Sequence, residues 1–108
     1  MNEQTRRRLN VERQRLLDRM HSLREFIRGS VVVLRRPCSY QGCRRCEAGV
    51  RHPALYHTVS KQGRTQTTYL GRSLAEACRE QVEAYRRLEA LVERISEVNL
   101  ALLVGKER

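Results

Sequence analysis

Three cysteines stand within nine residues, in Pro37-Cys38-Ser39-Tyr40-Gln41-Gly42-Cys43-Arg44-Arg45-Cys46, and His52 and His57 follow. Zinc takes four soft or borderline ligands in a tetrahedron. Thiolates two residues apart share a metal when the turn between them is tight, and Gly42 favours such a turn. The best closed set is Cys38, Cys43, Cys46 and His52, with His57 as the alternative fourth ligand. A bound Zn2+ also answers an energetic need, because a short module with so few apolar residues cannot hold itself together by a core alone. Two other readings compete. The cysteines can be free thiols in a loop, or a redox pair, although the βαβ setting usual for a Cys-x-x-Cys oxidoreductase is missing. In a reducing compartment a cluster like this is more often a metal site than a disulfide framework.

Charge divides the chain into three parts. Residues 28–72 hold nine Lys/Arg against Glu47 alone, which is most of the formal net charge of +10. Residues 1–27 hold seven Arg against four acids, and residues 73–108 hold six Lys/Arg against seven acids. A surface so one-sided draws anionic polymers or anionic membranes. With 108 residues, one domain spanning 1–108 is expected, with 29–72 as its basic head.

The outer parts read as helices. Leu9, Leu16 and Leu23 form one heptad row, and Met20 and Ile27 a second that Arg13 interrupts, giving a helix over about 5–28 with Gly29 as its stop. Ser73-Leu74-Ala75-Glu76 has the form of a capping box, opening a helix over about 74–104 that stops at Gly105. Its apolar rows are Cys78, Tyr85, Val92 and Asn99, and Gln81, Leu88, Ile95 and Leu102. On that row Cys78 reads as a small core residue, while His21 reads as solvated. Between the helices, Ser30–Leu34 is β-branched and reads as a strand. Leu55–Lys61 and Arg64–Leu70 read as a hairpin around Gln62-Gly63, with Tyr56 facing Tyr69. The expected fold class is α+β, with two long antiparallel helices flanking a small zinc-stabilised three-stranded β module.

The basic head offers Arg35, Arg36, Arg44, Arg45, Arg51, Lys61, Arg64 and Arg72 for phosphate, and Tyr40, with Tyr56 and Tyr69, for stacking on unpaired bases. Any one of these cations read alone is simply solvated; as a cluster they point to DNA or RNA. The head has one carboxylate, no acidic pair for catalytic Mg2+ and no glycine-rich phosphate loop, so an enzyme is not expected. No apolar run is long enough for a bilayer and Met1–Thr5 has no apolar leader core, so the expected location is cytoplasmic, without a membrane partner. The rival reading is a protein-interaction module, for example a phage inhibitor that grips a host protein through its helices and basic head.

The order of parts resembles an uncharacterised family of short bacterial and phage proteins. The matching residues are Gly29-Ser30, Cys38, Cys43, Cys46, His52-Pro53, Tyr56 and Tyr69-Leu70-Gly71-Arg72, spread over nearly the whole chain. This sequence departs in having Pro53-Ala54-Leu55 at a Gly-Pro-Tyr-like step and two residues between its last cysteines. The resemblance implies a phage or mobile-element setting and supplies no activity. The hairpin is also similar, at the level of fold, to the arm-type DNA-binding hairpins of phage integrases.

A homodimer through the helices is expected as well. Leu17, Phe26, Leu74, Leu91, Leu100 and Leu103 lie outside or beside the heptad rows, more apolar surface than two helices cover. Pairing two such hairpins would bury it. Asn99 either fixes the register of that coiled-coil packing or lies near a wet helix end.

Overall fold

The computed structural model describes residues 1–36 and 52–106. It is α+β: helix α1 (Glu3–Ser22), strands β1 (Ser30–Arg36), β2 (His52–Lys61) and β3 (Arg64–Leu70), and helix α2 (Arg72–Gly105). The chain forms two compact units, Met1–Phe26 with Glu83–Arg108, and Ile27–Val82.

In the first unit α1 and the distal part of α2 run antiparallel. Met1 lies against Gly105, Arg13 meets Asn99, Glu12 meets Arg94, and the Phe26 and Tyr85 rings sit 6.1 Å apart. Asn2 caps α1, its side-chain oxygen accepting the Thr5 N–H at 2.7 Å. The helix is shorter than its heptad rows suggest. It ends at Ser22, Leu23 leaves with ψ 107°, and residues 23–28 are not helical. No breaker stands there. Tertiary bonds replace the helical ones, as the Ile27 N–H goes to the Gln81 carbonyl at 3.0 Å.

The seam of this unit also differs from the expected rows. Leu88, Ile95 and Leu102 face inward, as expected of the row from Gln81, and the second inward row is Ala84, Leu91, Val98 and Gly105. The row from Cys78 is buried only at its start: Val92 is 51% exposed and Asn99 is exposed. The reason is a change of phase. In the Ile27–Val82 unit α2 buries Ala75, Cys78 and Val82, and in the helix pair it buries Ala84, Val98 and Leu102. One heptad row cannot serve both stretches.

The interruptions in the apolar rows match each other. Arg13 Nη1 donates to Asn99 Oδ1 at 3.0 Å, and its Nη2 donates to Asn10 at 2.8 Å. Asn99 is thus a solvated acceptor within one chain and not a buried residue. Nearby, Arg94 grips Glu12 with two parallel hydrogen bonds, 2.7 and 3.2 Å long, and reaches Glu97 at 2.9 Å. The Arg94 hydrogen bond holds the Glu12 carboxyl below the usual carboxylate range, against a smaller opposing effect of burial.

The second unit holds a three-stranded antiparallel sheet in the order β1-β2-β3. Gln62 and Gly63 both have positive φ, 50° and 77°, as a type I′ hairpin turn demands. Tyr56 pairs with Tyr69 as the turn requires. Gly29 is needed at the entry to β1 and not as a helix stop. Its φ is 125°, and a Cβ there would collide with the Thr58 carbonyl and the His57 ring. α2 opens without the expected capping box. Ser73 already lies inside the helix, and the Gly71 carbonyl accepts the Leu74 and Ala75 N–H groups, each at 3.0 Å. Cys78 is buried, and burial pushes its thiol up, so it packs as a core residue.

Candidate nucleic-acid interface

Side chains alternate across a strand, so the register sorts the head into two faces. One face carries Val32, Tyr56 and Tyr69 in a row, with Ser30, Thr58 and Thr67 beside them and Ser60 and Thr65 near the turn. The other carries Val33, Leu55 and Leu70, then Val31, His57 and Thr68, then Val59 and Gln66, and finally Lys61 and Arg64.

The second face is partly occupied by the chain entering the sheet. His57 Nε2–H donates to the Arg28 carbonyl at 2.8 Å, and Arg28 Nη2 donates to the Ser60 carbonyl at 2.7 Å. These bonds carry the Arg28 side chain to the hairpin tip. There Arg28, Lys61 and Arg64, with Ser60, Gln62 and Gln66, line one open recess of about 540 Å³. Arg28 was absent from the cations singled out by the sequence. The residue after it, Gly29, has a φ of 125° that glycine adopts freely.

The remaining sequence-derived residues are distributed as follows. Arg35 is exposed in β1, Arg36 ends that strand, and Arg72 is exposed at the first position of α2. Tyr40, Arg44, Arg45, Arg51, Cys38, Cys43 and Cys46 lie outside the described residues, as does Glu47, the head's one carboxylate. Residues 27–36 and 52–72 therefore hold no acid at all. Among the described residues no group of three His, Cys, Asp or Glu comes together.

The strand register places the two candidate fourth ligands. Arg36 pairs with His52 at one end of the sheet. His52 is the first residue of β2. His57 is five residues further along β2, about 17 Å away, with its ring on Arg28.

Among the described residues, no helix is long and apolar enough to cross a membrane. No curated protein and no solved structure matches the chain. A family model described as Domain of unknown function (DUF6788) matches residues 3–80, which takes in α1, the whole sheet and the first turns of α2. The chain belongs to the DUF6788 family.

Proposed function

We propose that this chain is a non-enzymatic nucleic-acid-binding protein that grips phosphate with its basic β head. One observation carries the reading: Arg28, Lys61 and Arg64 converge on one recess in a head whose described residues hold no carboxylate. Structural cations normally come with an acid nearby, as Arg94 does with Glu12 and Glu97. Cations gathered without one repel each other, and an anionic polymer relieves that repulsion. A Zn2+ held by Cys38, Cys43, Cys46 and His52 would brace the sheet end away from the hairpin tip. The implied setting is an accessory of a phage or mobile element.

The test is binding of labelled DNA and RNA by the full chain, followed by anisotropy across a salt series. Affinity should fall steeply with salt, because binding releases counterions. Changing Arg28, Lys61 and Arg64 to Ala should weaken it and flatten the logarithmic salt slope by roughly 3. Changing Arg79, Arg86 and Arg87 on α2 should do little. Equal losses from the two triples would refute the head as the binding surface.

A second copy is the proposed partner of the helix pair. Val92, Leu100, Leu103 and Val104 are each at least half exposed, and Val11 of α1 is also exposed. Leu17 and Leu91, by contrast, are half-buried within the unit itself. Light scattering decides this: a mass that stays near 12.7 kDa as concentration rises excludes the dimer.

A further inference from the structure

We propose that the Tyr56–Tyr69 face of the sheet is a stacking platform for single-stranded nucleic acid. Tyr69 receives an unpaired base, and the Arg28–Lys61–Arg64 recess, on the other face at the hairpin tip, holds phosphates further along the strand. This rests on the nucleic-acid reading above and narrows it to one substrate class.

Tyr69 lies on the edge strand β3 and is 64% exposed. The chain has only five aromatic residues, one Phe and four Tyr. Phe26 and Tyr85 are used against each other in the helix pair, and Tyr56 is half-buried at the centre of the sheet. Leaving a tyrosine ring in water forgoes burial that a small core needs. The ring is also held in place. Tyr56 meets it edge to face, with centroids 5.7 Å apart and planes at 72°. A ring fixed this way loses little freedom when a base settles on it.

The surroundings suit a base. The neighbours on this face are the hydroxyls of Thr58, Thr67, Ser60 and Thr65, which can donate or accept at a base edge without imposing a charge. The opposite face is crossed by the Arg28 backbone, and Ile27 next to it is bonded to Gln81 of α2. Arg64 is five residues from Tyr69 on the same strand, about 17 Å. Tyr69 and Arg64 stand on opposite faces, so a strand stacked on the ring reaches the cations by passing round the exposed edge of β3 toward the hairpin tip. In a duplex the flat face of each base is covered by its neighbours, so a ring of this kind finds a partner only on an unpaired strand.

The experiment compares one labelled 20-nucleotide strand with the same sequence as a duplex, using the full chain at fixed low salt. Tyr69→Ala should weaken the single strand about tenfold and the duplex less than twofold. Tyr69→Phe, which keeps the ring, should bind within about twofold of the parent. The chain has no Trp, so tyrosine emission reports directly; the single strand should quench it, and less so in Tyr69→Ala. Unchanged melting of both variants excludes misfolding. If the parent binds the strands and Tyr69→Ala loses single strand and duplex alike, or neither, the platform is overturned and the basic head stands. If the parent binds neither, both readings fall.

Discussion

The helix pair and the β head are held together by different means. Every side chain fully buried among the described residues belongs to α2, and none belongs to a strand. The helix pair has a continuous seam ending in Val98, Leu102 and Gly105, and its charges are partnered across the seam by Glu12 and Arg94. The sheet has half-buried residues at best and cations without acids. A region so built gains little from burial and loses from self-repulsion. The contrast teaches that burial does less for the sheet than for the helix pair, which is the weakness that the proposed zinc would answer.

Three changes would break or sharpen this contrast. The largest effect is expected from removing the metal. Protein purified without added metal should carry one zinc per chain. Chelation, or Cys43→Ser, should abolish nucleic-acid binding and the sheet's amide-exchange protection while most helical circular dichroism remains. A metal content well below one per chain would defeat the assignment.

A smaller effect is expected at Gly29. Its positive φ and the absence of room for a Cβ mean that Gly29→Ala should cost about 3 kcal/mol, all of it in the head. Denaturant unfolding followed by amide exchange separates the two units; protection lost first along α1 would contradict the division.

The smallest effect concerns Glu12. Arg94 lowers its pKa in the folded state, so its contribution is present above the unfolded carboxyl's range and is lost as pH falls through the folded value. Thermal melts should therefore show the helix pair weakening in acid, with Glu12→Gln weaker at neutral pH and flatter toward low pH. Parallel curves for parent and variant would mean that the ion pair contributes nothing measurable, the common outcome for exposed pairs.

What the sequence disclosed depended on whether the determining contacts were local. The hairpin was legible because Gln62-Gly63 fixes a two-residue turn, and a turn fixes register, down to Tyr56 opposite Tyr69. The Gly105 stop was legible for the same kind of reason. The end of α1 was not, since Leu23–Arg28 keep apolar spacing and leave the helix for bonds to Gln81 and packing on Tyr85. The row of Cys78, Tyr85, Val92 and Asn99 misled because a heptad was extended through a helix that changes its buried face between Val82 and Ala84. Of the candidate site, the cations on the strands could be named in advance. Arg28 could not, because its position follows from a bond to a carbonyl 32 residues away.

The helix pair is assembled from the two ends of the chain, with all of Ile27–Val82 between them. That arrangement has a kinetic consequence. In an unfolded chain, bringing the partners together means closing a long loop before any seam contact compensates for it. A sheet already formed ties residues near Gly29 to β2 and β2 to β3, and so shortens the path to be closed. The expected order is the hairpin first and helix docking last. Variants that slow sheet formation should slow the appearance of the helix pair as well, even where its final stability is untouched.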